Sequence, residues 1–138
     1  MSDFEKFLRE YFTASGRIGR KRYGDLMFKM WLPLMATAIL EWLIVDAWEL
    51  ANRFPHVVFA VRAVMYTLTI FFWVSLPFVA TRRLHDIGKS GWWSWLLIVM
   101  SFAPITGSGV LVFIFAVWLG HKDGDAGKNK YGDPPPDD

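Results

Sequence analysis

The sequence predicts an all-α integral membrane protein, a helical bundle of two full transmembrane helices with a broken third hydrophobic segment. Its 138 residues are 54% apolar, 17% aromatic and 20% charged, whereas soluble domains are about 45–50% apolar and about 25% charged. The apolar residues also fall into three long stretches, and buried helices of soluble proteins rarely run so far without a polar face. These observations favour a single membrane domain, residues 1–138, over an unusually apolar globule.

The first segment, residues 1–24, is predicted to form a short amphipathic helix followed by a basic flank. Ser2 and Glu5 have the spacing of a capping box. Apolar side chains then recur at helical intervals on one face, at Phe4, Phe7, Leu8, Tyr11 and Phe12. We expect this helix to lie on the inner surface of the membrane or against the helical bundle.

Two segments, residues 26–45 and 57–81, are predicted to be the full spans, because about 20 apolar residues cross a hydrocarbon core about 30 Å thick. The third apolar segment, residues 92–119, has no charged residue but is interrupted around Pro104 and Gly107. Each half of this segment reaches only about 15 Å as a helix, so neither crosses alone. The segment is therefore either one kinked span or a hairpin that returns to the side it entered, and we favour the hairpin.

The distribution of Lys and Arg predicts the orientation of the spans. Residues 1–24 carry six such side chains and the motif loop 82–91 carries three, whereas residues 46–56 carry only Arg53. This difference places the N-terminus and the motif loop in the cytoplasm. The polar tail, residues 120–138, carries three Lys and five Asp. Its charge therefore does not predict on which side of the membrane it lies.

Glu41 and Arg62 are charged residues inside the predicted spans. Each lies four or five residues from the outer end of its helix, so antiparallel neighbours would hold the two side chains at similar depth. A charge at the centre of the hydrocarbon costs at least about 2.5 kcal/mol and is stabilised by a partner. We predict that they form an ion pair or share a water, and the alternative is that both snorkel to the outer interface.

A dense basic patch, formed by Arg17, Arg20, Lys21 and Arg22, precedes the first span. Such a patch can bind anionic lipid headgroups at the membrane surface. It can equally do no more than set the orientation of the span that follows it. The two roles are compatible, and the sequence does not choose between them.

The motif loop contains the densest polar cluster of the chain. If the second helix continues through it, Arg82 meets His85 and Asp86 on one face. A His next to an Asp suggests general acid–base chemistry, but sequence neighbours point to different faces of a helix. We therefore expect Asp86 to cap a helix or form an ion pair rather than to act in catalysis.

Composition and spacing exclude several other kinds of site. The chain has no Cys, and its three His residues are scattered, so zinc sites and thiolate nucleophiles are not predicted. The stretch that holds Asp123, Asp125 and Asn129 fails the spacing of a calcium-binding EF-hand. Residues 88–91 lack the strand and first glycine of a phosphate loop. A formal net charge of +2 is too small to suggest a nucleic-acid binder. Taken together, these observations predict that the protein binds no nucleic acid, metal or cofactor and has no catalytic residue.

Three short polar motifs span most of the chain. The central motif, residues 82–93, reads Arg-Arg-Leu-His-Asp-Ile-Gly-Lys-Ser-Gly-Trp-Trp, the first lies within residues 15–23, and the third lies within residues 127–134. Their order and residues resemble the domain of unknown function 805, a family of small bacterial inner-membrane proteins. The residues that we single out as a candidate functional cluster are Arg17, Arg20, Tyr23, Arg82, Arg83, His85, Asp86, Ser90, Gly91, Trp92, Asn129 and Tyr131.

The resemblance implies a multispanning protein of the bacterial inner (plasma) membrane with no assigned activity. It also suggests that the three motifs meet on the cytoplasmic face, which requires the tail to return inside. Besides the lipid bilayer, we expect a membrane protein partner or a second copy of the chain, and hence a non-enzymatic scaffold or partner-binding role. The alternative is a small transporter or channel component that uses Glu41 and Arg62. An interfacial enzyme that acts on lipids through His85 and Asp86 is a weaker alternative.

Overall fold

The computed structural model describes residues 2–46, 52–101 and 109–136 of the chain. Within these ranges the protein is all-α, with no β-strand, and this confirms the predicted fold class. The helices are α1 (Asp3–Phe12), α2 (Arg20–Asp46), α3 (Pro55–Asp86), α4 (Trp92–Ser101) and α5 (Gly109–His121).

Helix α1 begins with the capping box that the sequence predicts. The Ser2 hydroxyl accepts a hydrogen bond from the Glu5 N–H at 3.2 Å, and the Glu5 carboxylate accepts one from the Ser2 N–H at 2.7 Å. These bonds satisfy two N–H groups at the start of the helix, where no intrahelical acceptor exists. The helix ends after Phe12, because Thr13 has an extended backbone.

Helices α2 and α3 are long and apolar enough to cross a membrane, over Arg20–Leu43 and Pro55–Asp86. A shorter apolar helix covers Val110–His121 within α5. In the described part of the chain, two membrane-capable helices are thus accompanied by a shorter apolar helix, as expected for a membrane helical bundle.

Both long helices extend beyond the predicted spans at their polar ends. Helix α2 begins at Arg20, before the predicted start at residue 26, and α3 continues past residue 81 to Asp86. The predicted loop, residues 82–91, therefore has to be corrected, because its first half is the last turn of α3. Helical structure continues there because the polar side chains of that turn find partners within the protein.

A glycine ends helix α3. Gly88 has a φ of +69°, a left-handed conformation in which a side chain is strained. The Gly88 N–H bonds the carbonyl of His85 at 3.2 Å, and the Lys89 N–H bonds the carbonyl of Leu84 at 2.8 Å. This is a Schellman C-cap, which satisfies carbonyl groups that the helix end leaves free.

The chain divides into two compact units, one formed by Met1–Met27 with Val74–Asp138 and the other by Phe28–Trp73. In the second unit, the rings of Trp31 and Phe72 meet edge to face with centroids 5.0 Å apart. This contact joins α2 to α3 within that unit.

In the first unit, α4 and α5 both contact the polar end of α3. The Ser94 hydroxyl, in the first turn of α4, donates to the carbonyl of Pro77 at 3.2 Å. Arg83 donates from Nε to the carbonyl of Leu119, near the end of α5, at 3.1 Å. The start of α4 and the end of α5 therefore both lie at the polar end of α3. The connection itself, residues 102–108, contains the predicted break and lies outside the described residues.

Candidate functional site

Two arginines and one aspartate from the polar motifs form a buried group that we call the Asp86 cluster: Arg17, Arg83 and Asp86. Arg17 Nε donates to Asp86 Oδ1 at 3.0 Å, and Arg17 Nη2 lies 2.9 Å from the same oxygen. Arg83 donates from Nη1 to the other carboxylate oxygen, Oδ2. All three side chains are at most 1% exposed, so the charges attract one another in an interior of low dielectric constant.

Backbone carbonyl groups surround the two guanidinium groups of the Asp86 cluster. Among the described residues, Arg17 donates to the carbonyl oxygens of Asp125, Gly127 and Gly132. Arg83 donates to those of Ile18, Leu119 and Lys122. The cluster carries one more positive than negative charge, and these carbonyl dipoles stabilise the excess. Most of the carbonyls belong to the end of α5 and the tail, so the cluster attaches the tail to α3.

The tail approaches Asp86 so closely that only glycine fits at position 124. A Cβ atom on Gly124 would lie 2.1 Å from Asp86 Oδ2, far inside van der Waals contact. The next residue, Asp125, donates its N–H to the backbone carbonyl of Asp86 at 2.8 Å. The tail backbone therefore covers the carboxylate directly.

His85 is covered by the third motif. Its ring stacks on that of Tyr131, with centroids 3.7 Å apart and planes 7° from parallel. Its Nδ1 lies 3.2 Å from the carbonyl oxygen of Gly16, and Asn129 Nδ2 donates to the His85 carbonyl at 2.9 Å. His85 and Asp86 thus bond to different partners, as expected for neighbours in a helix.

Arg82 lies outside the Asp86 cluster, which corrects the sequence interpretation. Its Nη2 donates to the carbonyl of Glu10 at the end of α1, and the Glu10 carboxylate pairs with Arg22. Arg83, three residues before Asp86, takes the place predicted for Arg82. The reason is tertiary, because α1 provides Arg82 with an acceptor that the helix pattern does not reveal.

The basic patch before α2 is largely paired within the protein. Arg17 is buried in the Asp86 cluster, Arg20 pairs with Asp123 at 2.8 Å on the surface, and Arg22 pairs with Glu10. Arg17 therefore has no access to lipid headgroups. The other two arginines reach headgroups only in competition with these carboxylates.

Tyr23, from the first motif, is buried between α2 and α5. Its hydroxyl donates to the carbonyl of Ala116 at 3.1 Å, which provides the partner that a buried phenol needs. Leu26 and Leu119 are fully buried as well. Tyr23 thus holds the end of α5 near the start of α2.

The end of the central motif determines how α4 begins. A Cβ atom on Gly91 would lie 2.3 Å from the Thr81 methyl group, so glycine allows α4 to start close against α3. The Ser90 hydroxyl accepts a hydrogen bond from the Trp92 N–H at 3.4 Å. The Trp92 ring itself is exposed. Gly91 and Ser90 thus have structural roles, whereas Trp92 faces outward.

The second candidate site lies in the unit Phe28–Trp73. Arg62 Nη2 is 3.0 Å from Glu41 Oε1, and the two side chains are 39% and 35% exposed. The structure therefore brings together the two residues that the sequence analysis paired. Arg62 Nε is buried, and no hydrogen-bond partner for it occurs among the described residues.

A family model described as "Protein of unknown function (DUF805)" matches residues 11–133. The chain belongs to this family. The "Inner membrane protein YhaI" of Escherichia coli strain K12 is 32% identical over 129 residues, which cover 93% of this chain and 90% of that protein, and the same protein of strain O157:H7 matches equally. No solved structure matches the chain. These findings confirm the resemblance and, with the apolar helices, show that the chain is a membrane protein.

The DUF805 match covers the first two motifs and residues 127–133 of the third, and it includes the whole Asp86 cluster. The sequence analysis did not single out Glu10, Gly124 or Asp125 as members of the site. Gly124 lies between two aspartates, a weak sign of close backbone approach, whereas the carbonyl acceptors leave no sign in the sequence. In the described residues, no three His or acidic side chains are grouped to hold a metal ion.

Proposed function

We propose that this DUF805 protein is a non-enzymatic membrane component that presents a fixed polar surface for another membrane protein to bind. The observation that supports this proposal is the internal pairing of the motif residues. The charged groups of Arg17, Arg83 and Asp86 face one another and the tail carbonyls. An enzyme needs a reactive group open to substrate, whereas a binding surface needs a rigid backbone.

The surface that the tail forms contains a cavity of about 360 Å³. It combines an exposed ion pair, backbone atoms next to the Asp86 cluster, and two prolines. The lining residues are Arg20, Asp123, Gly124, Asp125, Ala126, Pro134 and Pro135. A preformed surface with polar groups and few mobile side chains suits a segment of a partner chain, because little conformational entropy is lost on binding.

A photoreactive amino acid at Ala126 tests this proposal in native membranes. Ala126 lines the cavity and is exposed, so we expect one discrete adduct with a membrane protein, identified by mass spectrometry. The additional substitution Arg20→Ala removes the ion pair at the cavity and should abolish the adduct. An adduct with the chain itself would identify the partner as a second copy.

The matched control places the same probe at Lys128, which is exposed on the same tail but does not line the cavity. This probe should give no discrete adduct. The scaffold proposal fails when the Ala126 probe captures nothing, or when both positions give the same set of adducts.

We also propose that the N-terminus, the central motif and the tail lie in the cytoplasm and that α2 and α3 both cross the bilayer. The excess of Lys and Arg in residues 1–24 and 82–91 over residues 46–56 supports this orientation. The contacts of Arg17 and Arg83 with the tail also support a common location of the three motifs on one side of the membrane. A reporter fused after Asp138 should be active in the cytoplasm, and periplasmic activity would contradict the orientation.

A small transporter or channel component is the second candidate function. The Glu41–Arg62 pair supports it, because charges within membrane helices commonly mark a path for ions or substrates. In a deletion strain, transport predicts that a His85→Ala gene restores the phenotype and a Glu41→Ala gene does not. Catalysis at His85 predicts the reverse result.

A further inference from the structure

Helix α1 presents an apolar face that is partly exposed. Phe4 is 67% exposed, and Phe7 and Leu8 are each 40% exposed, whereas Tyr11 on the adjoining part of the helix is buried. Exposed aromatic and leucine side chains on one side of an amphipathic helix are typical of a helix that lies in a membrane interface. The polar side of α1 carries Lys6 and Arg9.

The start of α4 presents a second exposed aromatic surface. Trp92 is 77% exposed and Trp93 is 57% exposed. A shallow apolar groove of about 580 Å³ runs along this side of the helix, lined by Ser90, Trp92, Trp93, Trp95, Leu96 and Val99. Its polar residue, Ser90, lies within the central motif just before α4, and its aliphatic residues, Leu96 and Val99, lie further along α4. This gradient matches the passage from lipid headgroups to acyl chains.

Ring contacts connect these two surfaces through one residue of α3. The rings of Phe12 and Phe78 are 6.0 Å apart between centroids, and those of Phe78 and Trp95 are 5.3 Å apart and nearly perpendicular. The end of α1 and the start of α4 therefore both flank α3 at the level of Phe78. Phe78 thus contacts both helices that carry the exposed surfaces.

The position of Phe78 along α3 fits a membrane interface. From Pro55 to Phe78 the helix is about 35 Å long, close to the thickness of a hydrocarbon core of about 30 Å. Asp86 lies about 12 Å beyond Phe78 on the same helix. Phe78 thus lies between the apolar length of α3 and the buried polar cluster at its end.

Charge does not explain how α1 would be attracted to a membrane. The helix carries three acidic and two basic side chains, and Glu10 pairs with Arg22. Arg17 and Arg20 pair with Asp86 and Asp123. The exposed Lys21 and Lys89 add a modest attraction, so apolar contact has to supply most of the affinity for lipid.

We propose that these two surfaces form a single interfacial collar, consisting of Phe4, Phe7, Leu8, Trp92 and Trp93, that inserts into one leaflet at the boundary between headgroups and acyl chains. The collar binds lipid through its rings and Leu8, and it needs no anionic headgroup. It fixes the depth of the bundle and holds the Asp86 cluster just outside the hydrocarbon. This surface is separate from the partner-binding cavity, so the collar stands or falls independently of the scaffold proposal.

Nitroxide labels on single cysteines test the collar, since the natural chain has no Cys. The full chain with Leu8→Cys, Phe4→Cys or Trp93→Cys is reconstituted into vesicles of phosphatidylcholine, with and without phosphatidylglycerol. Arg9→Cys, on the polar side of α1, is the matched control. Collision rates with oxygen, which concentrates in acyl chains, and with a water-soluble nickel chelate report the depth of each label.

We expect the collar labels to show a severalfold higher ratio of oxygen to nickel collisions than the Arg9 label. The Leu8, Phe4 and Trp93 labels should report similar depths, and phosphatidylglycerol or added salt should leave them unchanged. Because these side chains are exposed, their replacement should leave the fold intact, and two labels on α1 guard against a local effect. Nickel access equal to that of the Arg9 label, or insertion only with phosphatidylglycerol, overturns the collar. Shielding from both reagents with spin–spin broadening would assign the face to a second copy and also overturn it.

Discussion

The two charged sites of this protein differ in how deeply their side chains are buried. The side chains of the Asp86 cluster are at most 1% exposed, whereas Glu41 and Arg62 remain 35% and 39% exposed. Asp86 bonds two guanidinium groups, and the backbone of the tail surrounds them. Glu41 lies 3.0 Å from Arg62 in a pair that the tail does not surround.

This difference shows that a charged residue in a membrane protein can stabilise the packing of the chain or remain available for other contacts. A buried charge that loses its partner costs several kcal/mol, since no water replaces the lost bonds. A half-exposed pair can turn to water or headgroups, so its loss costs little. We therefore assign the Asp86 cluster to the attachment of the tail and the Glu41–Arg62 pair to a weaker, replaceable contact.

The largest effect is expected for Asp86→Ala. The substitution leaves two buried guanidinium groups without a carboxylate, and breaking a buried pair in this way costs about 3–5 kcal/mol. The free energy of unfolding, measured by denaturant titration in detergent micelles, should fall by that amount. Asp133→Ala is the control, because its pair with Lys128 is exposed and 3.5 Å long, so the loss should stay below about 1 kcal/mol. Equal losses would remove the contrast between buried and exposed pairs.

An intermediate effect is expected for Gly124→Ala. The new Cβ atom would meet Asp86 Oδ2 at 2.1 Å, so the tail has to move away from the cluster, at a cost of about 1–3 kcal/mol. Hydrogen exchange of the Asp125 N–H, which bonds the Asp86 carbonyl, should accelerate. Gly127→Ala lies in the same tail with no atom within 4 Å of its Cβ. It should leave that exchange rate unchanged, and a similar acceleration in both variants would contradict the close approach.

The smallest effect is expected for the Glu41–Arg62 pair. In a double-mutant cycle with Glu41→Gln and Arg62→Gln, the coupling energy should be near 0.6 kcal/mol, as is usual for polar contacts between membrane helices. The cycle is measured by unfolding in the same micelles. A coupling as large as the loss in Asp86→Ala would show that exposure does not distinguish the two sites.

Local features of the sequence predicted local structure well. The capping box at Ser2 and Glu5 forms as its spacing predicts, because both groups lie within one helical turn. Apolar length predicted α2 and α3, since a membrane requires a minimum number of apolar residues. Glu41 and Arg62 were predicted to pair because antiparallel helices would hold them at similar depth, and the structure places them in contact.

The end of α3 and the choice of arginine could not be predicted in the same way. The helical pattern placed Arg82 near Asp86, at a spacing of four residues, and did not single out Arg83. Glu10, on a helix far away in the sequence, engages Arg82 and leaves Arg83 to the carboxylate. Side chains with such tertiary partners also allow α3 to continue through the predicted loop.

By itself, the sequence determined the fold class, the membrane location of the chain and its family, because apolar length and three motifs are properties of the chain itself. Only the tertiary structure decided what the motifs do. Arg17 and Asp86 are separated by 69 residues, and most acceptors that bury them are backbone carbonyls, which are the same chemical group in every residue. The packing of α3, α5 and the tail determines which carbonyls become partners, and this cannot be read from the residue types.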